Sequence, residues 1–249
     1  MDKGYGKNAG VRMRRRAAVA VGAVCCTALL AACENSAIPA DAKPAAAPRP
    51  LAQTALNTLA FTPGERVGPY RTAEFTVSGG PLSDDYTAAP ARCQPLVGLK
   101  SVAGGPRSQV HRRLGDPAKP QGADVAVQLR SYAGPGAAVV MRALRAAGEK
   151  CGAGFTENRG RPGKDAVAAR YTAVEKLAAP AGIGEEAQAF RLAVREARGQ
   201  GTAYEYLTVV RAGASILSFR AETLGGTDLG GVPKDIVDAQ WEKWGKAGK

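Results

Sequence analysis

TAYEYLTVVR (202–211) and ASILSFRA (214–221) stand on either side of the Ala212-Gly213 step. Two extended segments joined by so tight a glycine-containing turn form a β-hairpin. Upstream, Phe190, Leu192 and Val194 point one way, with Arg191, Arg195 and Glu196 among the polar residues between or after them. Gly199-Gln200-Gly201 turns that strand into the hairpin. Three successive antiparallel strands follow from this, a meander on which the rest of the domain must be built.

Working outward, residues 167–177 alternate as another strand and stop at Pro180-Ala181-Gly182. Residues 124–132 also alternate, with Val125, Val127 and Leu129 on one face of a half-buried strand. Gly134-Pro135-Gly136 breaks it, and Val140, Met141, Leu144, Ala147 and Cys151 then recur at helical spacing. The spacing predicts a helix over about 137–150 whose apolar face covers the sheet. Residues 104–122, polar and with four glycines and three prolines, read as loop or short edge structure.

Residues 56–61 are a short apolar stretch, and 73–77 read as a strand before Gly79-Gly80-Pro81. Ser83-Asp84-Asp85 offers capping side chains to a short helical region leading towards Cys93 and Leu96. After the glycine-rich 225–231, Pro233 opens a last helix with Val237, Trp241 and Trp244 on one face, a core-packing stripe. The order predicts an α+β domain: an antiparallel sheet with helices packed on one face, a two-layer sandwich.

The amino terminus decides location. Lys3, Lys7, Arg12 and Arg14-Arg15-Arg16 precede an apolar stretch from 17 to 32. A charged start followed by an apolar run is the layout of a secretory signal. The run is 16 residues, short of the roughly 20 that span a bilayer. Leu30-Ala31-Ala32-Cys33 is similar to the bacterial lipobox: a large aliphatic residue, two small ones, then the cysteine that takes a diacylglyceryl group. Residues 1–32 are therefore expected to be a lipoprotein signal peptide, with Cys33 the lipid-bearing first residue. Residues 33–50, rich in Ala and Pro, read as a tether reaching on the order of 50 Å. Residues 51–249 read as one extracytoplasmic domain. The expected location is the outer face of the cell membrane, lipid-anchored, with palmitate among the acyl chains.

The chain has 34 Lys plus Arg against 22 Asp plus Glu, and removing residues 1–32 leaves a net charge of +7. Such a surface attracts anionic headgroups and wall polymers. Nucleic acid is not an expected partner, since no nucleic-acid motif occurs.

Of five cysteines, Cys25 and Cys26 leave with the signal and Cys33 is lipidated. Cys93 and Cys151 remain, and in an oxidising compartment they have one possible pairing. Closing roughly 58 residues stabilises by about 4 kcal/mol at most in the chain-entropy model. Their spacing fits no zinc pattern, and the lone His111 excludes a two-histidine metal site. No cofactor is expected.

The search for catalytic motifs is negative. No GxSxG elbow and no HExxH occur. His111 sits in a polar stretch and reads as a solvated surface histidine. Gly160-Arg161-Pro162-Gly163-Lys164-Asp165 superficially resembles a phosphate loop, but the spacing is wrong and Asp165 stands where a hydroxyl is needed. It reads as a basic surface loop. Asp84-Asp85 and Glu185-Glu186 are adjacent pairs; on a strand, neighbours point to opposite faces, so neither is a dyad. Asp84-Asp85 reads as capping, and Glu185-Glu186 as the start of a strand.

Ala91-Arg92-Cys93, the strand 125–129, the helix 143–151 ending in Cys151, and the hairpin 207–216 occur in an order that resembles the extracellular sensor domains of actinobacterial PknH-type receptor kinases and their stand-alone lipoprotein relatives. The resemblance covers roughly 51–221. Those domains usually carry two disulfides, whereas this chain can form one. The resemblance implies a small-molecule or cell-envelope sensing module with a cleft between helices and sheet, and it supplies no catalytic residues. The expected function is a non-enzymatic ligand-binding or sensing lipoprotein, with Met141 and Leu144 as candidate cleft residues, although core packing is the commoner role for both. The alternatives are an envelope hydrolase with dispersed carboxylates and a structural or chaperone-like lipoprotein that binds another protein.

Overall fold

β9 (Thr202–Ala212) and β10 (Ser215–Thr223) form the expected hairpin, paired from Ser215↔Ala212 to Glu222↔Glu205. Gly213 takes φ 58°, the left-handed conformation that a two-residue hairpin turn requires. The computed structural model describes residues 48–74, 86–97, 105–159, 166–195, 201–223 and 227–246. The expected signal peptide (1–32), Cys33 and all but the end of the expected tether lie outside these residues. So do Gly79-Gly80-Pro81, Ser83-Asp84-Asp85 and the stretch 160–165 expected to be a basic surface loop.

The hairpin is the centre of a wider sheet. β8 (Glu186–Arg195) pairs with β9, and β5 (Ala123–Ser131) with β10. Beyond β5 come β4 (Ser108–Gly115), β2 (Tyr70–Glu74) and β1 (Arg66–Val67). Beyond β8 come β7 (Ala166–Leu177), β6 (Phe155–Arg159) and β3 (Tyr86–Ala89). Among the described residues ten strands thus make one sheet, ordered β1-β2-β4-β5-β10-β9-β8-β7-β6-β3, and every pairing is antiparallel.

Residues 104–122 depart from expectation. They contain β4, an interior strand rather than a loop or edge. Only Val110 and Leu114 carry an apolar signal on its buried face, because Arg112 occupies the position between them. Arg112 reaches away instead, donating from Nε to Phe61 O at 2.7 Å. The 56–61 stretch is largely helix α1 (Gln53–Leu59), with Leu56 buried. The helical region expected from Ser83-Asp84-Asp85 towards Cys93 and Leu96 is helical only after β3, where a 3-10 turn (Ala91–Cys93) runs into α2 (Gln94–Val97). The Gln94 side chain accepts from Ala88 N at 2.7 Å and donates to Tyr86 O at 2.8 Å, covering the outer edge of β3.

α3 (Gly136–Lys150) buries Val140, Met141, Leu144 and Ala147, the stripe that the spacing predicts. Cys151, just past its end, is disulfide-bonded to Cys93 with Cα atoms 5.9 Å apart. α4 (Lys234–Lys246) buries Ile236, Val237 and Gln240, with Trp241 and Trp244 packed at the margin.

The α+β class and the antiparallel sheet stand; the distribution of the helices differs from expectation. Leu207, Val209 and Ile216 join α2 and α3 in one core cluster. Their strand neighbours Tyr206, Val210 and Leu217 join α1 and α4 in another. Successive residues of a strand point to opposite faces, so α2 and α3 share one face while α1 and α4 pack on the other. The central strands read as alternating in sequence because the second face is only partly apolar: Ser218, Gln188 and Arg130 are buried on the α3 side.

Candidate functional site

Strand register brings together charges that are remote in sequence. Arg71, Gly115, Asp124, Glu222 and Glu205 lie opposite one another in turn across β2, β4, β5, β10 and β9. The next row is Ala73, Arg113, Ala126, Arg220 and Leu207. Directly opposed residues share a face, and Leu207 marks it as the α3 face. Helix α3 covers the β7-β8-β9 side. At the β2-β4-β5 end the face opens into a cavity of about 600 Å³, to whose lining no helix residue contributes.

Arg71, Arg113, Asp116, Lys119 and Asp124 are the charged residues of its wall. Arg113 and Asp124 hold each other as an ion pair, with Arg113 Nε donating to Asp124 Oδ1 at 2.7 Å. The pairing raises the Arg113 pKa above the ordinary arginine value. The β4-β5 loop is shaped by its own bonds: Ala118 N donates to Asp116 Oδ1 at 2.9 Å, and Gly122 N to Lys119 O at 2.8 Å. Pro117 and Pro120 stiffen it further. Among the described residues Arg71 and Lys119 have no ion-pair partner and are exposed. Three cations therefore face two carboxylates, one of them already neutralised, around a volume within the range of small-molecule sites, about 300–1,000 Å³.

A buried polar network lies further along the same face. Arg220 donates to Glu205, to Leu96 O and, at 3.1 Å, to Val97 O, tying β10 to the end of α2. Tyr171 Oη lies 3.0 Å from Glu157 Oε2 and 3.0 Å from Glu205 Oε1, with its ring stacked on Phe155 at 4.3 Å between centroids. Burial, then the Glu205 charge, pushes the Tyr171 phenol well above its ordinary value. Burial works against the Arg220 charge, but Glu205, Tyr171 and Glu157 outweigh it, and Arg220 holds its proton more firmly than an ordinary arginine. Glu222, at the rim between network and cavity, has its carboxyl raised by desolvation and then by the like charges of Glu205 and Asp124.

The residues named from sequence lie elsewhere. Met141 and Leu144, on the buried face of α3, are 0% exposed and do not line the cavity. His111 is half-buried on β4, two residues from Arg113, and is not part of the lining either. Arg71, Arg113, Lys119, Asp116 and Asp124 escaped the sequence reading because they come from two strands, the start of a third and a loop, and share no motif. The one local signal was the glycine- and proline-bearing stretch 115–122 leading into a strand.

No family model matches the chain, and no curated protein is similar to it. Among solved structures, the extracellular domain of PknH from Mycobacterium tuberculosis is similar over 80% of this chain and 98% of its own, with TM-score 0.50 and 12% identity. The Rv0999 ortholog from Mycobacterium smegmatis is similar over 77% of this chain and 94% of its own, with TM-score 0.38 and 14% identity. The expected resemblance to PknH is therefore present in the three-dimensional arrangement: this chain has the fold of that extracellular domain, at a sequence distance where fold alone is shared.

Proposed function

We propose that the protein is an extracytoplasmic binding or sensing module, anchored to the membrane through lipid on Cys33, that takes a small anionic ligand in the cavity at the β2-β4-β5 end of the sheet. The observation that carries this reading is the cavity wall itself. Arg71, on β2, and Lys119, on a loop that its own hydrogen bonds and prolines keep in place, are cations without described ion-pair partners around an open volume. A fold shared with an extracellular domain and the Cys93–Cys151 bridge both suit an oxidising compartment. The lipobox-like Leu30-Ala31-Ala32-Cys33 supports the anchor.

The test is calorimetric titration of the protein with sugar phosphates and phospholipid headgroups of the cell envelope, comparing wild type with Arg71→Ala and Lys119→Ala. Binding that weakens by about tenfold or more in either variant, at matched folding, supports the cavity as the site. Identical affinity in all three proteins refutes it.

A further inference from the structure

Arg130 is a further cation on the α3 face, and its situation is the opposite of that of the exposed Arg71 and Lys119. Its side chain is 2% exposed, and Nε and Nη1 are enclosed with no hydrogen-bond partner. No described carboxylate pairs with it. Its strand neighbours across the sheet are Gln109 and Ile216, neither of which carries charge. Two residues on, and so on the same face, lies Tyr132, also 2% exposed, whose hydroxyl likewise has no aligned partner. Burial raises the pKa of that phenol, and the adjoining Arg130 side chain partly offsets the rise through its charge and then through its hydrogen-bonding approach to the hydroxyl.

Tyr132 in turn meets the start of α3: a Cβ built on Gly136 would stand 2.8 Å from Tyr132 Cβ. The 15-residue helix begins there with no side-chain cap and no acidic residue in its first turn. Its positive end is thus added to an unbalanced positive charge.

A guanidinium cannot shed its proton to escape burial. Enclosed water would satisfy its N–H groups but leave its charge uncompensated. We infer that Arg130 and Tyr132, beneath the start of α3, form an anion-binding subsite that takes chloride or a small oxyanion such as a carboxylate or phosphate group. The enclosed N–H groups and the Tyr132 O–H all donate, so the site selects acceptors that bring negative charge. It is distinct from the cavity at the β2-β4-β5 end, whose lining includes neither residue.

The experiment measures Tm of the whole chain in detergent, at constant ionic strength set with a bulky organic sulfonate. Chloride, acetate and inorganic phosphate are titrated separately. At least one should raise Tm of the wild type by about 4 °C at ten times its Kd. Arg130→Met should lose that response, and Lys119→Ala, which alters only the cavity, should keep it. Which anion acts distinguishes halide, carboxylate and phosphate as the natural occupant. No response in the wild type, or a response lost in Lys119→Ala and kept in Arg130→Met, overturns the subsite. Should Arg130→Met not fold, Tyr132→Phe is read in its place: an anion Kd weakened severalfold supports the inference, and an unchanged Kd overturns it.

Discussion

Gln240 on α4 donates from Nε2 to the main-chain oxygen of Leu59 at 2.7 Å, joining the end of α1 to the last helix across 181 residues. α1 has seven residues and no side-chain cap, too short to persist without tertiary contacts. The Lys243–Glu65 pair, Nζ to Oε2 at 2.8 Å, reinforces the same junction.

Gln240→Leu should therefore lower unfolding stability by about 1–3 kcal/mol, the cost of leaving a buried carbonyl unpaired. Proteolysis within 48–60 should accelerate alongside. An unchanged denaturant midpoint would show that the amide contributes nothing to holding α1.

The Cys93–Cys151 bridge spans 58 residues and anchors the short α2 segment to the end of α3. Thiol counting on the denatured, unreduced protein should find both sulfurs oxidised. Cys151→Ser should cost about 2–4 kcal/mol. Two reactive thiols in the exported protein would contradict the pairing.

Gly148 lies against a ring: a Cβ there would stand 2.4 Å from Phe190 Cε1. Alanine has the better helix propensity by about 1 kcal/mol, so local and tertiary effects oppose each other. Phe190 is 1% exposed and has little room to yield, so the clash should win. Gly148→Ala should destabilise by about 1–3 kcal/mol, and the loss should shrink when combined with Phe190→Leu. Additive effects in the double mutant would place the strain elsewhere.

Glu222 supplies a pH test. Desolvation first, then Glu205 and Asp124, raise its folded pKa above 4.5. A carboxyl raised on folding costs stability when ionised in both states, and the cost is relieved as pH falls through the folded value. Glu222→Gln should thus stabilise the protein at pH 7.5, and the gain should diminish as the pH is lowered towards 4.5. A gain that grew on acidification would reverse the assignment.

Cys33→Ala should abolish incorporation of labelled fatty acid and leave the signal peptide uncleaved by the lipoprotein peptidase. Equal labelling of wild type and variant would remove the lipid anchor from the proposal.

Where one element carries its own signal, the sequence alone determined the outcome. The 202–221 hairpin, the stripe Val140-Met141-Leu144 of α3 and the pairing left to Cys93 and Cys151 were all legible from spacing and count. Periodicity and turn chemistry are local properties, and these elements obey them, whereas in α4 only Val237 of the expected face is buried, beside Ile236 and Gln240. β4 was hidden because Arg112 interrupts its buried face, a choice explained only by the Phe61 carbonyl that receives it. The two-sided placement of helices was hidden as well, because alternation says that faces differ and not what covers each. The charged cavity and the Arg130–Tyr132 pair were decided only in the tertiary structure. Arg71, Arg113 and Asp124 become neighbours through strand register, a long-range property that no single stretch encodes. Arg130 is a buried cation only in the folded protein, since burial is a property of what packs on a residue and not of the residue itself.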